Sequence, residues 1–164
     1  MANYSFDIVS DYDKAEINNV FMQVEREISN RYDFKNTPAK LDWLKEKSGY
    51  EVIGNSDMQL EAIIDIIRRS LINRGVSTKV LDLSNDPVLS NLKVTKEIPF
   101  IAGLDSDKAK QLTKLIRDNF PKVKPQIQGE VVRTVSSSKN ELQDVMQLLR
   151  ETDFDFPVSF TNYR

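Results

Sequence analysis

A strand-and-helix order that runs through the chain twice limits its fold more than any other feature of the 164 residues. In the first pass, Tyr4, Phe6 and Ile8 alternate with Ser5 and Asp7, which predicts a strand over 4–9. Asp13, with Glu16 three residues on, marks a helix start, and Ile17, Val20, Phe21, Val24 and Ile28 trace one helical face. Strands are expected over 40–45 and 50–53, with Ser48-Gly49 as the turn between them. Ser56 and Gln59 form a second capping box. Leu60, Ile63, Ile64, Ile67 and Leu71 make the next apolar face, Gly75 sits at a C-cap, and a strand is expected over 78–83.

Ser84-Asn85-Asp86-Pro87 interrupts the pattern, which then begins again. A strand over 91–101, broken at Pro99, precedes a helix over 106–119 that buries Ala109, Leu112, Leu115 and Ile116. Strands over 124–128 and 131–135 meet at Gly129. Ser138 and Glu141 cap a helix with inner residues Leu142, Val145, Met146 and Leu149, and a strand over 157–163 follows. The second helix of each half keeps a constant offset: Ser56 falls on Ser138, Leu60 on Leu142, Ile63 on Val145 and Arg68 on Arg150. Each half reads β-α-β-β-α-β. The expected fold class is therefore α+β, with two tandem ferredoxin-like domains over 1–87 and 88–164, each a four-stranded antiparallel sheet with two helices on one face. Halves this small bury limited surface, so they are expected to pack together, with terminal or linker strands open to exchange between them.

The chain has no Cys and no His. That removes disulfides, zinc sites of the usual ligand set, and any Ser-His or Cys-His nucleophile pair. No GxGxxG or GxxxxGK[ST] loop is present, so hydrolysis of nucleoside triphosphates has no support, and neither a cofactor nor a metal is expected. The first residues show no basic n-region with a long apolar run, and no stretch has the length of a membrane span; a cytoplasmic protein without a membrane partner is expected. The first 87 residues carry eleven Lys and Arg against fifteen Asp and Glu, the remainder twelve against ten. This asymmetry is too mild to mark a nucleic-acid binder by itself.

Three segments carry binding chemistry. In Arg31-Tyr32-Asp33-Phe34-Lys35 two cations flank two aromatics, an arrangement able to pair with phosphate while a ring stacks on a base. The competing reading makes Tyr32 the end of the preceding apolar stripe, Phe34 core, and Arg31 the partner of a carboxylate. In 131–135, alternation points Arg133 away from the helices, where it either holds a phosphate or forms an inter-domain ion pair. At the C-terminus, Phe160 and Tyr163 read first as packing, while Asn162 and Arg164 are placed to touch a ligand. The basic, glycine and aromatic pattern of RNA-recognition strands is absent. The nucleotide reading expects the cations near 31–35, 133 and 164 to converge on one anion pocket.

SFDIVS at 5–10, EISNRYDFKN at 27–36, IIRRSLINRGV at 66–76, QIQG at 126–129 and LLRETDFDFPVSFTNYR at 148–164 resemble the YajQ family essentially end to end. RYDFK and the terminal FTNYR are the specific parts. The resemblance implies two ferredoxin-like domains in a bacterial cytosolic protein that binds a nucleotide or cyclic dinucleotide, such as cyclic di-GMP, GTP or ATP, or tRNA. It also implies regulation through a partner such as a transcription regulator. The chain departs from the family's pattern at Asn36, where glycine is usual, and at Ser136-Ser137-Ser138-Lys139, where the family is richer in cations. The candidate nucleotide-binding set is Arg31, Tyr32, Phe34, Lys35, Arg133, Asn162, Tyr163 and Arg164. The alternatives are a protein-interaction adaptor without a nucleotide ligand and an enzyme using a lysine or paired carboxylates, for which no motif exists.

Overall fold

The computed structural model describes residues 3–164 and contains two four-stranded antiparallel sheets. Contacts divide the chain into two units, and the division is discontinuous: unit 1 is the chain up to Asp11 together with Ala102–Arg164, and unit 2 is Tyr12–Ile101.

Unit 1 is a complete β-α-β-β-α-β module with unit 2 inserted after its first strand. Its elements are β1 (Tyr4–Val9), α3 (Ser106–Asn119), β6 (Lys124–Gln128), β7 (Val131–Ser136), α4 (Lys139–Glu151) and β8 (Ser159–Thr161). The sheet order is β6-β7-β1-β8. Phe6 and Ile8 of β1 and Val132 and Thr134 of β7 are buried against α3 and α4, which contribute Leu112, Ile116, Leu142, Val145 and Leu149. Ser138, the cap read from sequence, accepts at Oγ from Glu141 N, and Asp105 caps α3 by accepting at Oδ1 from Lys108 N.

Unit 2 runs α1 (Lys14–Asn30), β2 (Lys40–Trp43), β3 (Gly49–Gly54), α2 (Asp57–Asn73), β4 (Val88–Ser90) and β5 (Lys93–Pro99), with sheet order β2-β3-β5-β4. It is the same module circularly permuted, because β5 lies where a first strand would and yet comes last in the chain. Asp13 and Ser56 cap its helices. The Tyr50 hydroxyl, fully buried, donates to the carbonyl of Ile17 at 2.7 Å and ties β3 to α1; burial pushes its pKa up.

The tandem division at 87/88 is thus corrected. Local alternation tells which face of a strand is buried but not which strand lies beside it, and moving β1 from one half to the other leaves the order of elements unchanged. With the units drawn by contact, the charge asymmetry also disappears: unit 1 carries ten cations against eleven acids, unit 2 thirteen against fourteen.

Smaller corrections follow from turn chemistry. The strand expected over 78–83 is a 3-10 turn, Thr78–Val80, capped by Ser77, with a single bridge from Leu81 to Phe100. Asn91 and Leu92 both adopt positive φ and close a hairpin between β4 and β5, so the strand expected from 91 begins at Lys93 and a short strand precedes it. The β2–β3 turn spans 44–48, and Gly49 is already in β3. A Cβ on Gly49 would lie 2.6 Å from the Cα of Pro99, so close strand packing, not a turn, requires glycine there.

Candidate functional site

The first candidate segment closes upon itself. Arg31 ends α1 in extended conformation, and Tyr32–Phe34 form a 3-10 turn. The Arg31 guanidinium donates from Nε and Nη2 to both oxygens of Asp33, at 3.0 and 2.7 Å, and lies 4.5 Å over the Phe34 ring. This fork holds the Asp33 carboxyl below its ordinary range and raises Arg31. Phe34 is buried in the unit 2 core and offers no face to a base. Tyr32 does not complete the α1 stripe; it is 86% exposed, with Lys35 Nζ 5.8 Å from its ring. Asn36 takes the left-handed conformation that glycine would supply.

The second segment is also engaged. Arg133 stands on the open face of the unit 1 sheet, directly opposite Asp7 in register. Its Nε donates to Asp7 Oδ1 at 3.0 Å, and Asn162 Nδ2 donates to Asp7 Oδ2 at 2.8 Å. Asp7 is 3% exposed. The Arg133 hydrogen bond lowers its pKa, burial opposes this, and Asn162 and the charges of Arg133 and Arg164 reinforce it. The ion pair lies within unit 1. It is not the inter-domain pair that the sequence left open.

At the C-terminus, Ser5 N donates to the carbonyl of Arg164 at 3.1 Å and Arg164 N to the carbonyl of Ser5 at 2.9 Å, so the chain stays paired with β1 beyond β8. Asn162, at φ 54°, bends it between these points. Phe160 packs edge-on to Phe6, and Tyr163 stacks on Phe6 at 6.5 Å and 26° while remaining 59% exposed. Tyr163 and Arg164 line a pocket of about 270 Å³ with Tyr4, Lys139, Leu142 and Met146. Among the described residues neither Lys139 nor Arg164 makes an ion pair.

The expected set therefore splits. Arg31, Tyr32, Phe34 and Lys35 belong to unit 2; Arg133, Asn162, Tyr163 and Arg164 belong to unit 1. Arg31 and Arg133 are each closed on an acid of their own unit, which corrects the expectation of a single cluster of open cations. Tyr163 and Arg164 do line a cavity. Sequence reading missed the rest of that wall. Leu142 and Met146 were legible as helix α4's inner face but not as a pocket floor, and Lys139, the cation left in the loop before α4, is the signal that was available.

The open sheet faces give no stacking platform. The outward residues of the two central strands in unit 1 are Ser5, Asp7, Val9, Val131, Arg133 and Val135. In unit 2, Asp42, Glu51 and Glu97 stand in one cross-strand row, a surface that repels phosphate.

A sequence profile of a family described as "Nucleotide-binding protein YajQ-like" matches residues 4–164. A protein of Nocardioides named nucleotide-binding protein is 43% identical to this chain over the full length of both. A nucleotide-binding protein of Streptomyces coelicolor is likewise 43% identical over the full length of both. One from Prochlorococcus marinus is 42% identical across 99% of this chain and 98% of its own.

Proposed function

The chain belongs to the YajQ-like family of nucleotide-binding proteins, and from that premise we propose that it binds a nucleotide in unit 1 without catalysing a reaction, as a cytoplasmic regulator. The observation that carries this reading is the Tyr163 ring, backed by Phe6 and open on its other side, beside Lys139 and Arg164. A base stacks on such a ring over the apolar floor of Leu142 and Met146, and the two cations take the phosphate. Pockets that enclose a whole small ligand run roughly 300–1,000 Å³. At about 270 Å³ this one suits one base and its sugar, with phosphates at the rim. GTP, ATP or one nucleotide of a tRNA fits that size; a cyclic dinucleotide such as cyclic di-GMP places its second base outside.

Calorimetric titration with cyclic di-GMP, GTP, ATP and tRNA tests the reading. Submillimolar binding of at least one is expected, with tRNA affinity falling steeply as salt rises; no heat from any of the four overturns it.

One observation favours the adaptor reading as a second possibility. Val88, Leu89 and Leu92, on and beside the edge strand β4, are 63, 75 and 90% exposed, more apolar surface than a short hairpin normally leaves in water. Substituting them with serine then removes a protein partner and leaves nucleotide affinity intact.

A further inference from the structure

Unit 2 holds a second basic depression that the family description does not assign. It measures about 510 Å³ and is lined by Gln23, Arg26, Glu27, Asn30 and Arg31 from α1 and its end, and by Arg69 of α2. On α1 these residues recur at helical spacing, so they form one stripe. We propose that this depression binds a chain of linked phosphates.

Three arginines line it with one acid, Glu27, whose charge acts on Arg31. Among the described residues Arg26 and Arg69 make no ion pair. Arg31 spends Nε and Nη2 on Asp33 and keeps Nη1. The amide of Gln23 is fixed, because its Oε1 accepts from Ser70 Oγ at 3.1 Å and from Arg74 Nε at 3.4 Å, which leaves the Nε2 donors unspent. The dipole of α1 favours Arg31 at its C-cap but does not account for Arg26 or Arg69, since neither helix has a basic residue in its last turn. Like charges held together on a protein surface repel, and a ligand of opposite charge turns that repulsion into affinity. No aromatic ring lines the walls, so a base has nothing to stack on. The volume exceeds what one phosphate needs. Several oxygens along a chain match several planar donor forks, which is the geometry in which arginine surpasses lysine.

The test uses the full chain and inorganic tripolyphosphate, an anion with no base, followed by isothermal titration at low ionic strength. Micromolar to submillimolar binding is expected, weaker for orthophosphate and weaker again at high salt. Arg26→Gln and Arg69→Gln, both at exposed positions, each raise the dissociation constant roughly tenfold or more, the loss of one charge-assisted contact. Lys139→Gln, which removes a phosphate-holding cation of the unit 1 pocket, leaves it unchanged, which separates this site from that pocket. Should Arg69→Gln disturb folding, Arg26→Gln alone carries the test. Absence of binding at millimolar tripolyphosphate, wild-type affinity in both arginine variants, or loss of affinity in Lys139→Gln overturns the proposal.

Discussion

Replacing Asp7 by Asn tests the reading of the open face of unit 1 as a structural polar lock. The Asp7 carboxylate accepts from Arg133 Nε, Arg133 Nη2 and Asn162 Nδ2 at 3.0, 3.5 and 2.8 Å. An Asn side chain keeps one acceptor oxygen and sets an NH₂ against a donor, so at least one charge-assisted bond is lost. Such bonds contribute about 1.5–3 kcal/mol. Arg133 is 38% exposed on its side chain and regains water, which puts the expected cost near 2 kcal/mol. For a chain of this length that is a fall of about 4–8 °C in melting temperature. The pH dependence has a definite sign. The folded pKa of Asp7 lies below its unfolded value, so its stabilisation is fully present above the unfolded value, near 4, and is lost as pH falls through the folded one. Melts followed by circular dichroism at pH 7 and at pH 2.5–3 should show the gap between wild type and Asp7→Asn narrowing in acid. An equal gap at both pH values, or none at pH 7, refutes the assignment of Asp7 as an ionised lock.

Thr134→Val removes a fully buried hydroxyl that has no hydrogen-bond partner among the described residues and should raise stability by about 1 kcal/mol, read as a higher urea midpoint; a lower midpoint counts against it. Gly49→Ala forces β3 away from Pro99 and should cost about 1–3 kcal/mol or more, visible as a lower melting temperature. Tyr50→Phe strips the donor from the carbonyl of Ile17 while keeping the ring and should cost about 1 kcal/mol in chemical denaturation; a neutral result shows the bond contributes nothing net.

Much of the fold was legible because the signals were local. Ser56, Ser138 and Asp13 announce helix starts by side-chain chemistry within three residues, and each cap is present. Strand partners were not legible. Nothing in Tyr4–Val9 says that β7, some 130 residues away, lies beside it, so the halves were drawn at Pro87 when the chain in fact crosses at 11/12 and 101/102. The site divides along the same line. Alternation placed Arg133 on the open face correctly, but its pairing with Asp7 depends on the strand order that local pattern does not encode. Asp33 lies two residues from Arg31, and a 3-10 turn brings the carboxylate back onto the guanidinium; the competing reading holds for Arg31 and for buried Phe34 and fails for Tyr32, which is exposed. Arg26 and Arg69 were unremarkable as sequence because each sits on the polar side of its helix, and only the packing of α1 on α2 brings them to one depression.

The most direct test of nucleotide binding in unit 1 is amide chemical-shift mapping of the labelled chain as GTP or ATP is added. The account predicts the largest shifts at Ser5, Lys139, Gln143, Tyr163 and Arg164, the residues around the pocket, and their disappearance in Tyr163→Ala. Saturating ligand that moves resonances within residues 12–101 alone, or moves none, contradicts it.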